Sequence, residues 1–134
     1  MRGPKLTDLD ELLFRQVHPA WIEAGRPTTQ AFRPSAKDEG LLSVARGSKT
    51  TAASAFELHT QTRRLASVGV WGFRVRDCSE IALDAYDDPV TDPVPDPAHA
   101  VVDFSALGHK DARAKSQLLK ARAEPVFVRK PDES

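Results

Sequence analysis

The chain has 134 residues, with 19 basic and 19 acidic side chains, and 40% of its residues are hydrophobic. This composition is typical of a globular protein, and we expect one compact domain over residues 1–134 that needs neither disulfides nor a structural metal. The formal net charge of zero argues against a protein that coats nucleic acid or an anionic membrane, since both require a cationic excess.

The single cysteine and the hydropathy pattern predict a compartment. Cys78 cannot form an intramolecular disulfide, which fits a reducing cytoplasm. Residues 1–5 lack the apolar stretch of a secretory signal, and no apolar run approaches the roughly 18 residues that a membrane span needs. We therefore expect a soluble cytoplasmic protein that does not contact a membrane.

The first half of the chain predicts three extended segments and a helix. Residues 7–18 predict a short helical turn followed by a strand, because Pro19 cannot continue a helix. Glycines and prolines bracket two further extended segments, at residues 28–33 and 41–45. After Thr50 the apolar residues change to a helical spacing, which predicts a threonine-capped helix that ends at residue 66.

The second half predicts more strands and a second helix. Apolar residues on both faces of residues 68–75 indicate a central strand. Strands are also expected over residues 80–86 and 100–104, followed by an amphipathic helix over 111–123 and an edge strand over 125–129. Together these elements predict an α+β fold with a mixed or mostly antiparallel sheet and two principal helices.

The net charge of zero conceals three blocks of charge. Residues 1–76 carry 12 bases and 7 acids, residues 77–103 carry 8 acids and no Lys or Arg, and residues 104–134 carry 7 bases and 4 acids. The balances of the three blocks are therefore +5, −8 and +3.

The acidic block contains a segment rich in proline. Residues 87–98 have too many prolines for a helix or central strand, so we expect an extended, solvated loop. Three roles are open: a surface excursion that keeps the protein soluble, a mask that folds over the basic remainder, or a surface that recruits a cationic protein partner. The acids that would act are Asp87, Asp88, Asp92 and Asp96.

Residues 47–51 lie where a predicted strand leads into a predicted helix. Free amide groups at a helix start, with the hydroxyl of Thr50 and the ammonium of Lys49 nearby, can hold an anion or a phosphate. The segment is not a P-loop, because Ser48 separates Gly47 from Lys49. Ordinary helix capping explains the same residues.

A set of arginines forms a second candidate site for anions. Arg63 and Arg64 end the predicted helix, whereas Arg74 and Arg76 share one face of the following strand, and Arg33 lies upstream. Four guanidinium groups near one strand end would bind a phosphate, a carboxylate or the acidic loop itself. Favourable cations at a helix C-terminus and on a solvated strand face are the simpler explanation.

Other catalytic and metal sites have little support. The four histidines and Cys78 lack the paired spacing of a zinc site, so no metal is expected. The serines have no nucleophile-elbow context. Cys78 has acidic neighbours, which disfavour a reactive thiolate.

Two resemblances bear on function. The phrases Leu13-Phe-Arg-Gln-Val-His-Pro19, Gln30-Ala-Phe-Arg-Pro34 and Leu42-Ser-Val44 resemble those of small bacterial proteins, and this likeness implies no activity. The order of Arg15, Phe32, Glu57 and Ser105 is similar to that in NAD-consuming ADP-ribosyltransferase-like domains of the RES type. In that family an arginine, an aromatic residue and a glutamate serve the NAD site, so the resemblance implies Arg15, Glu57 and Ser105 as catalytic candidates and NAD as cofactor.

Two functions follow from the sequence. The favoured one is a non-catalytic binding or accessory protein that contacts a protein partner through its charged surfaces and the predicted edge strand. The alternative is a small enzyme that acts on NAD or another phosphorylated ligand, with Arg15, Glu57 and the helix start near Lys49 as its site.

Overall fold

A computed structural model describes residues 3–35 and 38–128 of the chain. Eight strands and three α-helices occur in the order β1 Leu12–Val17, β2 Ile22–Glu23, β3 Arg26–Pro27, β4 Leu41–Arg46, α1 Ala52–Glu57, β5 Gly69–Arg74, α2 Val75–Ser79, β6 Asp84–Asp87, β7 His99–Asp103, α3 His109–Arg122 and β8 Glu124–Val128. Short 3-10 turns span Pro19–Trp21 and Thr29–Phe32, and a π-helical turn, Leu58–Thr62, follows α1.

Six of the strands form one sheet in the spatial order β6-β7-β4-β1-β5-β8, and β2 pairs with β3 in a separate hairpin. All neighbouring strands run antiparallel, with Leu13 opposite Arg46 on one side of β1 and opposite Phe73 on the other. This architecture confirms the predicted α+β fold with one compact domain and two principal helices, α1 and α3.

Alternation along β1 explains how both faces of the sheet are covered. Leu13 and Val17 are fully buried on the face where Phe32 meets Phe73 edge to face, with ring centroids 6.3 Å apart. On this face α3 packs against the Thr29–Phe32 turn. The opposite face receives α1, whose Phe56 ring lies 5.0 Å from that of Phe127 on β8.

The two edges of the sheet differ. Backbone hydrogen bonds join Leu6 to Ala85 and Asp87 to Pro4, so residues 3–6 cover the outer edge of β6. Within the described residues, no segment pairs with the outer edge of β8, which confirms the predicted edge strand as far as Val128. The predicted last residue of that strand, Arg129, lies outside the described residues.

Three predicted elements were wrong in their conformation or bounds. Residues 28–33 are not an extended segment, because the 3-10 turn Thr29–Phe32 carries Phe32 into the core. The α-helix after Thr51 ends at Glu57 and continues only as the π-helical turn to Thr62. The strand expected over residues 80–86 begins at Asp84, because the chain first forms α2 and then a turn.

Candidate functional site

The strongest candidate site is built around Arg15, in the middle of β1. Its Nε donates to the carbonyl of Ala31 at 2.8 Å, and its Nη1 donates to the carbonyl of Ser43 at 2.9 Å. These bonds tie β1 to the Thr29–Phe32 turn and to β4. The guanidinium carbon also lies 5.2 Å from the ring centroid of Trp21, within the range of a cation–π interaction.

The charge of Arg15 is not matched by a bonded carboxylate. A guanidinium has five N–H donors, and the two bonds to carbonyl groups leave three without an acceptor among residues 3–35 and 38–128. Burial lowers the pKa of Arg15 to about 10, although the charge of Asp38 opposes this effect. A partly buried guanidinium that is not bonded to a carboxylate has N–H donors free for an anionic ligand.

A second titratable group, His59, lies near Arg15. Burial lowers the pKa of His59 in the π-helical turn, a hydrogen bond with the backbone of Ala66 opposes this, and the charges of Arg63, Arg15 and His18 lower it further. These charges act on His59 only because the fold brings them near it. The site therefore combines Arg15 with three further groups of positive or titratable charge.

His18 links this cluster to Trp21. The two rings are tilted, with centroids 5.7 Å apart. Nδ1 of His18 accepts a hydrogen bond of 2.9 Å from the amide of Ala20, which places the proton of the neutral ring on Nε2. His18 can therefore donate a hydrogen bond from Nε2 to a ligand.

The fold does not join Glu57 and Ser105 to Arg15. Glu57 ends α1 as an exposed side chain, and in the described part of the chain it makes no hydrogen bond or ion pair. Ser105 follows β7, where its amide and hydroxyl both donate to the carboxylate of Asp103. No hydrogen bond therefore connects the three residues that the resemblance implies as catalytic.

The turn at Lys49 and Thr50 binds carboxylates of the protein itself. Lys49 Nζ lies 3.3 Å from Asp87 Oδ1, and the hydroxyl of Ser48 donates to Glu11 at 2.6 Å. The helix cap is Thr51, whose hydroxyl accepts from the amide of Ser54, and α1 has only six residues. Internal acids thus take the contacts that an external phosphate would need.

The four arginines expected together lie near opposite ends of β5. Arg63 and Arg64 precede the strand, and Arg63 pairs with Asp96 at 3.5 Å. Arg74 is the last residue of the strand and Arg76 belongs to α2, so the predicted shared strand face is wrong. The reason is Asp77, which accepts a hydrogen bond of 2.7 Å from the amide of Arg74 and caps the helix that starts there.

The contacts of the remaining arginines are local. Arg74 donates to the backbone carbonyl of Asp10, and Arg76 contacts its carboxylate at 2.7 Å. Arg33 is half-buried and makes no side-chain hydrogen bond or ion pair with any described residue. Neither end of β5 therefore gathers the four guanidinium groups around one ligand.

The acidic segment is less solvated than predicted. Asp87 contacts Arg46 and Lys49, Asp96 contacts Arg63, and Asp88 lies 3.2 Å from His99. A backbone bridge between Val90 and Asp96 closes the loop. Asp92 remains exposed. The charges that are separated along the chain are thus largely interleaved in the fold, as the internal-mask hypothesis anticipates.

Sequence reasoning missed two contributors to these clusters. Trp21 carries no local signal for its role, because its contact with Arg15 depends on how the 3-10 turn folds back. Arg46 lies just beyond the predicted strand over residues 41–45 and was not singled out, yet it contacts both Glu11 and Asp87. Because Glu11 lies 35 positions from Arg46 in the chain, no spacing pattern in the sequence indicates that the two residues pair.

Comparisons with protein-family models, curated proteins and solved structures give no match for this chain. Among the described residues, no three His, Cys, Asp or Glu side chains form a group that could hold a metal ion. In that same part of the chain, no helix is both long and apolar enough to cross a membrane.

Proposed function

We propose that this protein binds a small molecule that carries a phosphate group, with Arg15 as the principal contact. The observation that carries the proposal is that Arg15, which is held by two backbone carbonyls and is only partly exposed, keeps three N–H groups without a protein acceptor in the described residues. The geometry thus favours the alternative of the two functions that the sequence left open. Binding through segregated charges has less support, because those charges pair with one another.

The chemistry of the cluster suits a phosphate better than a single carboxylate. A planar guanidinium binds phosphate oxygens through two parallel hydrogen bonds. Arg63 adds a second cation near His59, the neutral ring of His18 can donate from Nε2, and the indole of Trp21 contacts the guanidinium of Arg15. NAD is the first ligand to test, since the resemblance to RES-type domains implies it.

Calorimetric titration with NAD, ADP and inorganic phosphate tests the proposal. We expect at least one phosphate compound to bind the native protein and the Arg15→Gln variant to bind it at least tenfold more weakly. Arg33→Gln is the matched control, because Arg33 is half-buried and makes no hydrogen bond or ion pair with a described residue. Circular dichroism establishes that each variant is folded. Equal affinity of the native protein and Arg15→Gln would exclude the site.

The titration of His59 gives an independent readout. An anion near Arg15 counteracts the positive charges that lower the pKa of His59. We therefore expect the pKa of His59, followed by NMR, to rise when the ligand is present. A ligand that binds without moving this pKa binds elsewhere.

Catalysis is a further step, and Glu57 tests it. If the protein consumes NAD, release of nicotinamide should be lost in Glu57→Ala while NAD binding persists, since Glu57 is exposed and makes no hydrogen bond or ion pair with a described residue. The matched control is Glu23→Ala, an exposed acid on β2. Binding without turnover in the native protein would define a binding protein and not an enzyme.

Binding to a cytoplasmic protein partner is the second candidate function. The open edge of β8, where Val126 and Val128 are about half exposed, favours it, and the free thiol of Cys78 suits a reducing compartment. Asp92→Asn tests the role of the acidic loop, because this substitution breaks no ion pair in the described fold. If a bacterial partner protein binds through the acidic loop, we expect it to bind the Asp92→Asn variant more weakly than the native protein at low salt. Equal affinity for the two proteins would contradict a role of the loop.

A further inference from the structure

A cleft of about 390 Å³ opens beside the sheet, between the β2–β3 hairpin, the C-terminal end of α3 and β8. Its lining consists of Gly25, Arg26, Pro27, Phe32, Trp71, Lys120, Ala123 and Pro125. The volume lies within the range of about 300–1,000 Å³ that is usual for small-molecule sites. Arg15 is not among these residues, but Trp71 lies directly opposite it in the pairing of β1 with β5, so the cleft adjoins the Arg15 cluster.

The floor of the cleft is aromatic and firmly held. Phe32 is fully buried and packs edge to face against Phe73, and Trp71 keeps only 8% of its surface exposed. Pro27 and Pro125 contribute rigid apolar walls. Such a floor favours a flat apolar group that can stack on or slide against an aromatic ring.

The rim of the cleft carries two cations from separate elements. Arg26 starts β3, directly after a tight turn in which Ala24 and Gly25 both have positive φ, and Lys120 lies in the last turn of α3. Both side chains are exposed, and within the described residues neither makes a hydrogen bond or an ion pair.

These two cations differ from the bases that form ion pairs, and among the described residues they share the unpaired state with Arg33, Lys110 and Arg113. Arg46, Arg63, Arg76 and Arg122 each contact at least one acid. No acidic residue lines the cleft. Two unpaired positive charges over an apolar floor complement an anion that has an apolar body.

We infer that this cleft binds a small organic anion in which a flat apolar ring carries a carboxylate or a phosphate. The ring lies against Trp71, and the anionic group lies between Arg26 and Lys120. This inference does not depend on the proposed function at Arg15, because Arg15 does not line the cleft and the two cations of the rim make no contact with Arg15 or Trp21.

NMR titration of the native protein tests the inference, with the indole N–H signals of its two tryptophans as separate reporters. Trp71 lines the cleft and Trp21 contacts Arg15, but Trp71 also lies opposite Arg15 in the sheet, so each titration is repeated with Arg15→Gln. Two probes, benzoate and phenyl phosphate, combine an aromatic ring with a negative charge. Three incomplete probes complete the set: benzyl alcohol has the ring without the charge, and acetate and inorganic phosphate have the charge without the ring. We expect benzoate or phenyl phosphate to shift the Trp71 signal and to bind at least fivefold more tightly than the incomplete probes.

Two substitutions test the role of the rim. Arg26→Gln and Lys120→Gln should each weaken binding of the best probe by about 2- to 5-fold, as expected for exposed ion pairs, and the double variant should weaken it further. The controls are Lys110→Gln and Arg113→Gln, which remove exposed bases of α3, the helix that carries Lys120. Both should leave the affinity for the probe unchanged.

Three results would overturn the inference: no shift of the Trp71 signal with any probe, benzyl alcohol binding as tightly as benzoate, or a double variant with native affinity. Binding that is lost in Arg15→Gln but native in the double variant supports the Arg15 site and counts against the cleft. Binding that is native in Arg15→Gln but weakened in the double variant does the reverse, so the two proposals fail separately.

Discussion

The guanidinium of Arg46 donates two hydrogen bonds to the carboxylate of Glu11, from Nε to Oε2 and from Nη2 to Oε1, each 2.9 Å long. The Glu11 side chain is only 2% exposed. Ser48 donates a third bond to this carboxylate, and Asp87 accepts another from Arg46. One network therefore fastens the start of β1, the end of β4 and the end of β6.

Removing the charge of Glu11 should destabilise the protein. We expect Glu11→Gln to lower the free energy of unfolding by about 2 to 4 kcal/mol, because it leaves Arg46 with an incomplete set of acceptors in a buried position. Urea denaturation measures the change. Glu23→Gln, at an exposed position, is the control and should stay within about 0.5 kcal/mol of the native value. Equal losses in the two variants would refute a special role for the network.

The same network predicts how stability depends on pH. Burial alone would raise the pKa of Glu11, but hydrogen bonds from Arg46 and Ser48 and the charge of Arg46 outweigh it and lower the pKa. Burial would likewise raise the pKa of Asp87, but Arg46 and Lys49 lower it.

Because both pKa values are lower in the folded state, the stabilisation is complete well above the unfolded values of 4.5 and 3.8. It declines as the pH falls through these values and is lost below the folded pKa values. We expect urea midpoints to fall between pH 6 and pH 3, less steeply in Glu11→Gln than in the native protein. Parallel pH profiles for the two proteins would contradict this assignment.

The thiol of Cys78 should be inert in the folded protein. Its side chain is fully buried, and burial together with the charge of Asp77 raises its pKa to about 12. A thiol-specific disulfide reagent at neutral pH should therefore react with the native protein only at the rate at which the chain unfolds, and rapidly in concentrated urea. Rapid stoichiometric reaction without denaturant would show that the thiol is accessible.

Gly40 should tolerate no side chain. Its φ is +80°, and a Cβ there would lie 2.7 Å from the Cα of Ser105. We expect Gly40→Ala to cost about 2 kcal/mol or more in thermal or urea unfolding, because the conformation is strained and backbone must move. Gly108→Ala is the control: its φ is −70° and a Cβ there would meet open space, so about 1 kcal/mol or less is expected. Similar costs at the two positions would disprove the steric argument.

Much of the fold was predictable because its signals are local. Leu41–Arg46, Gly69–Arg74 and His109–Arg122 carry clear periodicity between glycines and prolines, and each forms close to its expected bounds. Elements that depend on tertiary contacts were missed. The Thr29–Phe32 turn exists because Phe32 enters the core, and α2 depends on the cap that Asp77 supplies.

The candidate site was predictable only in part, for the same reason. Arg15 was singled out by a resemblance in residue order, but its partners are the carbonyls of Ala31 and Ser43 and the ring of Trp21. Every residue has a backbone carbonyl, so no sequence pattern indicates which carbonyls will accept hydrogen bonds from the Arg15 guanidinium. The internal pairing of Asp87 and Asp96 depends on how the loop closes, which composition does not determine.

Covering the outer edge of β6 with residues 3–6 has a consequence for self-association. A sheet with two free edges can add copies in both directions and grow into a fibre. In the six-stranded sheet of the described chain the outer edge of β8 is unpaired, and it carries Pro125 and an irregular register next to Val70 and Trp71. Pairing of two copies through β8 would therefore leave the two covered β6 edges on the outside of the joined sheet.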